Sequence, residues 1–379
     1  MPKLATFSMP GMLGKMTTPL SFKVGELFSG PGGMAKGAQL AAESLEGIEL
    51  VHAWANDMDK WACETYVRNI KGATKTSVHC GDGKDFDLAG AGESDGLAFG
   101  FPCNDFSLVG KSKGLDGEFG PLYKHGVRAL AAHNPMWFVA ENVGGLRSAN
   151  EGSAFLRIMD DLSKAGLHGY RLYPHLYQFD LYGVPQRRKR IIIVGIRADL
   201  DFVYKVPSPR LYSDVNVSAK HAIETPKIDE NAFNNELTKQ GATVVERLKR
   251  IRPGENAFTA DLPDQLKLNI RGATISQIYK RLHPDEPSYT ITGSGGGGTH
   301  VYHWREPRAL TNRERARLQS FPDDYIFYGS KEAVRKQIGM AVPVKGAQAI
   351  FTALFKTFLG ISYESIEQNI EFAQNPMLS

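Results

Sequence analysis

Val24-Gly-Glu-Leu-Phe28, followed without a break by Ser29-Gly-Pro-Gly-Gly33, reads as a buried strand entering a tight glycine turn, with a helix predicted over Met34–Ser44. Glycines at such a turn let the backbone come close to a ligand at the helix N-terminus. The turn is not a phosphate-cradling nucleotide loop, because no Gly-Lys-Ser/Thr follows; taken alone it is equally compatible with a plain tight connection. Outward from it the same texture repeats. Glu49–Ala55, Gly96–Gly100, Trp137–Ala140 and Arg190–Ile196 are strand-like, and Lys60–Asn69, Leu122–His133 and Ala154–Ala165 are helix-like. This alternation predicts an α/β fold of Rossmann-like type, a mostly parallel sheet covered on both faces. Ligands of such sheets sit outside the carboxyl ends of the strands.

The residues just past those ends are chemically loaded. Asp57 lies about 25 residues beyond the glycine turn, where an acid is placed to hold ribose hydroxyls. Asp82, in His79-Cys-Gly-Asp82, follows a third strand and is placed to meet an adenine amino group. Either acid alone would pass for a cap or a solvated loop residue; together they favour a nucleoside-containing cofactor. Cys103 stands between Pro102 and a polar loop, Asn104-Asp-Phe-Ser107, at the end of the Gly96–Gly100 strand, the place for a nucleophile. Cys63 and Cys80 fit the blander role of small buried hydrophobes. Residues 108–121 contain four glycines with Lys111 and Lys113, which suits either a phosphate-touching lid or an ordinary solvated loop. Glu141-Asn-Val143 places a carboxyl and an amide after another strand, where burial would raise the carboxyl pKa. In Gln186-Arg-Arg-Lys-Arg190, alternation would point Arg188 and Arg190 the same way.

Beyond about Lys205 the pattern becomes irregular, rich in Pro, Asn and polar residues, and reaches Gly293-Ser-Gly-Gly-Gly-Gly298 before helical signals return at Thr311–Gln319 and Pro343–Leu359. The expected organisation is a lead-in over 1–22, a catalytic and cofactor-binding domain over 23–204, a smaller irregular domain over 205–330, and a helical segment over 331–379 that packs back on the first domain. The 379 residues carry 45 Lys plus Arg against 41 Asp plus Glu, a net charge of 45 − 41 = +4, too slight to argue for nucleic acid on its own. Three cysteines are too few and too scattered for a disulfide framework or a zinc cluster, so no metal is expected. No apolar run approaches the roughly 18–20 residues of a membrane helix, and no export signal is evident; a cytoplasmic protein is expected.

In their order along the chain, these segments resemble the C5-cytosine DNA methyltransferases of bacterial restriction–modification systems. The resemblance is carried by Phe28-Ser-Gly-Pro-Gly-Gly33, Pro102-Cys103 with Phe106-Ser107, Glu141-Asn-Val143, Gln186-Arg-Arg-Lys-Arg190, Arg308-Ala-Leu-Thr311, Arg317-Leu-Gln319, Phe321-Pro322, Gln337-Ile-Gly339 and Val342. It implies an S-adenosylmethionine-dependent methyltransferase domain plus a target-recognition domain. Phe28 would stack on the cofactor's adenine, with Ser29, Gly30, Gly32 and Gly33 around its methionine end. Asp57 would hold the ribose and Asp82 the adenine, while Met58, Pro102, Leu122, Met340 and Ala341 would complete the pocket. Cys103 would add to C6 of a cytosine flipped out of duplex DNA, Glu141 would bond its N3 and exocyclic amine, and Arg188 and Arg190 would steady the base. Thr290 matches a segment that family members set against the DNA backbone. Ser107, Lys111, Lys113, Arg271, Gly295, Gly296 and His300 join it as candidate DNA contacts, the glycine stretch acting as a recognition loop rather than a tether. The implied partners are double-stranded DNA and, genetically, a cognate restriction endonuclease; a monomer at the bacterial nucleoid is expected.

Two departures stand out: Asn104 where the family usually has Gln, and Met340 where it often has Asn. Three alternatives stay open on sequence: the same chemistry on transfer RNA, a non-catalytic DNA-binding regulator of this fold, and a nicotinamide-dependent oxidoreductase, which would leave the Cys103 and Glu141 segments unexplained.

Overall fold

The computed structural model describes residues 18–101, 122–145, 152–268, 277–293 and 299–372. The first half of the chain lays down β1 (Leu20–Leu27), α1 (Gly33–Glu43), β2 (Ile48–Asp57), α2 (Lys60–Asn69), β3 (Val78–Cys80), β4 (Gly96–Gly100), α3 (Tyr123–His133), β5 (Trp137–Val143), α4 (Ser153–Ser163), β6 (Tyr170–Gln178), β7 (Gln186–Arg187) and β8 (Lys189–Arg197). The second half adds β9 (Val206–Pro207), α5 (Ala219–Glu224), α6 (Ala242–Arg250), β10 (Ser288–Tyr289), α7 (Asn312–Leu318), α8 (Lys331–Met340), α9 (Val344–Phe358) and β11 (Ser365–Ile366). Seven strands form one sheet in the order β3-β2-β1-β4-β5-β8-β6. The pairs from β3 through β5 are parallel, and β8 runs antiparallel to both β5 and β6. The strand order reverses between β1 and β4, so the crevice that binds ligands in such sheets opens past their carboxyl ends.

Strands buried on both faces need apolar side chains in both directions, and these strands have them. On one face Phe22, Trp137 and Val194 meet Ala38, Phe351 and Phe355 of α1 and α9; on the other Leu27, Phe99 and Phe138 meet Leu130, Phe155 and Ile158 of α3 and α4. Helix α9 lies so close to α1 that a Cβ on Gly37 would fall 2.5 Å from that of Ala347. The strands predicted from sequence are all present: Gly96–Gly100 keeps its predicted bounds and the other four run a few residues longer. Strand β6 was not predicted, because Pro174 and His175 interrupt its pattern; it is tolerated there because β6 is the sheet's edge.

Just past residue 205 the chain stays with the main core. Tyr204, Val206 and Tyr212 still pack in the main core, and β9 pairs with β11. Beyond them the chain does become irregular, around two smaller cores. Buried arginines bind these loops together: Arg281 donates to the carbonyls of Leu248, Ile251 and His303 at 2.8–2.9 Å, and Arg313 to those of Phe233, Pro322 and Tyr325 at 2.6–3.1 Å. With few ladders to satisfy the backbone, the five-donor guanidinium does so instead. The apolar stretch Lys331–Phe358 is long enough to cross a membrane by composition, but its most apolar part is mostly buried, and it forms the core helices α8 and α9.

Candidate active site

The glycine turn is built from the outside. Phe28, at the end of β1, has φ of 54°, which L side chains adopt rarely and mostly at functional sites. Its half-buried ring lies edge-on to His125 of α3 at 6.2 Å and rests against Gly83, where a Cβ would come within 3.2 Å of it. The Ser29 amide donates to the Asn56 carbonyl at 3.1 Å, and the Gly30 amide to the Asp57 carboxylate at 2.7 Å. The Tyr325 hydroxyl, from 294 positions further on, donates to the Pro31 carbonyl. At Gly33 no side chain fits: a Cβ would stand 2.3 Å from the Val342 carbonyl oxygen. The motif's last glycine therefore serves the approach of the α8–α9 connection.

Asp57 accepts a second bond from the Asp59 amide at 2.8 Å, and burial is the main cause that pushes its carboxyl pKa up. Asp59 caps α2 through the amides of Trp61 and Ala62 and forms an ion pair with Lys336 of α8 at 3.0 Å. Asp82 is open to solvent beside Lys84 at 3.3 Å; the Lys84 amide that it accepts holds its carboxyl below the usual range. Met58 and Met340, expected in the pocket wall, are 75% and 61% exposed, while Leu122 is half-buried and Ala341 buried.

At the end of β5, Glu141 pairs in register with Gly100 and forms an ion pair with Arg190 of β8, Nε to Oε1 at 2.8 Å, the two side chains 14% and 15% exposed. Asn142 donates to the Phe101 carbonyl at 3.1 Å and so fixes the strand end that leads to Pro102. Arg188 does not point with Arg190. It sits in the break between β7 and β8, fully buried, with Nη1 on the Ile291 carbonyl at 2.9 Å and Nη2 on the Gly339 carbonyl at 3.1 Å. The expectation that alternation aims both arginines at one base fails at that break. Gln186 works alongside Arg188, donating to the Leu318 carbonyl and to Gln319 and accepting from the Ile291 amide. Thr290 donates to the Arg187 carbonyl at 2.8 Å. His300, expected to be available for reading bases, is 8% exposed and packed edge-on against Tyr302. Pro102, Cys103, Asn104, Ser107, Lys111, Lys113, Arg271, Gly295 and Gly296 lie outside the described residues.

Sequence reasoning missed Tyr325, Lys336 and Glu26. The first two act across sequence separations that no local pattern reveals. Glu26 was legible as an acid inside an apolar strand: it is buried, accepts the Tyr66 hydroxyl at 2.9 Å, and burial pushes its pKa up to about 8.

Acids at the end of β2 and just past β3 beside a glycine turn, in a parallel sheet with an added antiparallel strand pair, define the class: a Rossmann-like methyltransferase that uses S-adenosylmethionine. In keeping with that fold, Dnmt2 methyltransferase of S. pombe superposes with a TM-score of 0.58 at 15% identity, covering 89% of this chain and 99% of that one. The family model for C-5 cytosine-specific DNA methylases matches residues 22–356, and the chain belongs to that family. It is 55% identical over 361 residues to the type II methyltransferase M.BbvI of Brevibacillus brevis, covering 93% of this chain and 96% of the relative. It is 41% identical over 353 residues to the type II methyltransferase M.NgoFVII of Neisseria gonorrhoeae, covering 91% and 89%. The activity is the family's, transfer of a methyl group to C5 of cytosine in DNA; the transfer-RNA, regulator and oxidoreductase readings are not favoured.

Proposed function

We propose that this chain is a sequence-specific, type II DNA (cytosine-5)-methyltransferase that works as a monomer at the bacterial nucleoid, and that it modifies the sites of a cognate restriction endonuclease. The observation that carries the assignment of its centre is the Glu141–Arg190 pair at the end of β5, opposite Gly100, the residue that precedes Cys103 by three positions. The target cytosine leaves the duplex to reach this crevice. Arg190 fixes the Glu141 carboxyl, which bonds the ring N3 and the exocyclic amine. The Cys103 thiolate bonds to C6, and the electron pair displaced from the C5–C6 double bond makes C5 nucleophilic. S-adenosylmethionine, when bound, supplies the electrophilic methyl group. Loss of the C5 proton then returns an electron pair to the ring, and the C6–sulfur bond breaks to release Cys103.

Cofactor binding falls to Phe28 under the adenine, Asp57 toward the ribose, Asp82 toward the adenine amine, and the turn Ser29–Gly33, with Met58, Pro102, Leu122, Met340 and Ala341 around them. The residues present fit that group: an aromatic ring beside two carboxylates and a close-approach glycine turn. The exposed thioethers of Met58 and Met340 are apolar surface that a nucleoside would cover. Arg188 holds the walls of the site together instead of touching the base. DNA is read from residues 205–330, with Arg271, Thr290 and the glycine stretch at Gly295 and Gly296 against the duplex and Ser107, Lys111 and Lys113 closing from the other side. Bisulfite sequencing of DNA from cells expressing the chain should return methylated cytosines in one short sequence, and Cys103→Ala should return none. Methylation that persists in Cys103→Ala would overturn the assignment.

A further inference from the structure

Helix α7 carries three buried arginines, and their surroundings differ. Arg313 is held by three backbone carbonyls, and Arg317 by the Asp323 carboxylate at 2.8 Å and the Ile223 carbonyl at 3.0 Å. Arg315 is 3% exposed, yet among the described residues its guanidinium makes one hydrogen bond, a long one of 3.4 Å from Nη2 to Nδ1 of His300. Arg335 of α8, half-buried, adds its positive charge to the same spot, and its buried Nε has no partner among the described residues. Acids are near but spoken for or outside: the Glu314 carboxylate is held by both terminal nitrogens of Arg308 at 2.8 Å, and Glu332 stands exposed on the first turn of α8. Neither arginine forms an ion pair among the described residues.

Two guanidiniums beside one another cannot shed their charge by ordinary titration, and burying them without a counter-charge is costly. Burial, followed by the two arginines, pushes the His300 ring down to about 4, so it stays neutral at physiological pH. Arginine only donates, so Nδ1 of His300 accepts and the ring proton sits on Nε2, leaving a third donor in the cluster. The cluster has a definite address. The chain enters the glycine stretch at Gly293, where a Cβ would be 2.8 Å from the Lys336 carbonyl oxygen, next to Arg335, and resumes at His300 against Arg315.

We propose that Arg315, Arg335 and His300 form a seat for one phosphodiester of the DNA backbone at the foot of the Gly293–Gly298 stretch. This rests on the reading of that stretch as DNA-facing. The seat anchors without reading bases, since phosphate contacts position a protein on DNA and base contacts specify the sequence.

The test is duplex binding by the full chain across a sodium chloride series, with a duplex containing the methylated sequence and one lacking it. Each phosphate contact contributes about 0.9 to the slope of log affinity against log salt. Arg335→Gln should weaken both duplexes alike, by about tenfold at 0.1 M salt, and lower the slope by about 0.9, with S-adenosylmethionine affinity unchanged. Arg335→Lys should restore most of the slope. Arg315→Gln should behave like Arg335→Gln where it folds, but the half-buried Arg335 carries the test. An unchanged slope, or a loss confined to the target duplex, would overturn the seat. Replacing chloride by inorganic phosphate at equal ionic strength separates the ligand's sources: superimposable curves support a DNA phosphodiester, and extra displacement that vanishes in Arg335→Gln would replace it with a free-phosphate pocket. If the wild type bound neither duplex, the DNA-methylation reading itself would fall; if it binds both and the slope survives in Arg335→Gln, the seat alone falls.

Discussion

Replacing Glu141 by Gln keeps the shape of the side chain and removes its charge, so the outcome depends on what the 2.8 Å contact with Arg190 contributes. Opposite unit charges about 4 Å apart are worth about 4 kcal/mol at an effective permittivity of about 20. With both side chains about 85% buried, desolvation offsets much of that, which puts the pair between exposed pairs of under 1 kcal/mol and buried ones whose disruption costs 3–5 kcal/mol. The variant should therefore lose about 1–2 kcal/mol of stability and remain folded at 25 °C. The catalytic loss should be larger. A positioned proton donor or acceptor is worth 10²–10⁴ in rate; the amide can still donate one hydrogen bond to N3, so a loss of several hundredfold is expected, about 3.5 kcal/mol on the barrier. Single-turnover transfer of a labelled methyl group at saturating S-adenosylmethionine measures the chemical step, calorimetry measures cofactor affinity, and a thermal melt measures stability. A variant within tenfold of wild type at saturating cofactor would refute the reasoning. So would a rate loss matched by an equal loss of cofactor affinity, because Glu141 would then belong to the cofactor pocket.

Gly339→Ala should destabilise the chain by about 1–3 kcal/mol, since a Cβ there would lie 2.1 Å from the Gly293 nitrogen and both partners are backbone; a melting temperature equal to wild type would count against that packing. Glu26 sets a pH dependence. Its folded pKa of about 8 lies above the ordinary value of 4.5, so the folded state holds a proton that the unfolded chain releases, and stability is lost as pH rises from about 4.5 through 8. Glu26→Gln should flatten that fall between pH 5 and 8, and an unchanged pH profile would show that the carboxyl ionises freely. Phe28→Ala should weaken S-adenosylmethionine binding by about tenfold through loss of stacking area, and calorimetry showing undiminished affinity would move the adenine elsewhere.

The parallel half of the fold was legible because each of its signals is local. The strand β1, its glycine turn and α1 occupy twenty-odd consecutive residues, and alternation of strands with helices forces the topology. Asp57, Asp82 and Glu141 were legible for the same reason, as acids directly after apolar runs. What escaped was set by partners distant in sequence. Arg188 looked like a companion of Arg190 because strand alternation was assumed to run unbroken through Arg187 and Lys189; the strand is instead interrupted at Arg188, and the side chain satisfies carbonyls 103 and 151 residues away. His300 looked like a polar loop residue because nothing in its own segment announces Arg315, fifteen residues on, as its partner. The irregular second half hid its logic in arginines, whose charge suggests a solvated face while their guanidiniums hold the interior together.

The clamp on the glycine turn has a consequence for how the enzyme comes into being. Pro31 receives its hydrogen bond from Tyr325, Gly33 meets the Val342 carbonyl, and Asp59 meets Lys336, so the cofactor turn is complete only after residues some three hundred positions downstream have been made and docked. A ribosome releases the N-terminal strands first, at about 5–20 residues per second. Through most of translation, a nascent chain that already contains Cys103, Glu141 and Arg190 lacks the far wall of its turn. The finished turn then arrives abruptly, once the segment from Tyr325 to Val342 has been made and docked, instead of growing in step with synthesis. Chains terminated before Tyr325 would carry the proposed catalytic residues without the finished turn, so such products should leave the cell's DNA unmarked.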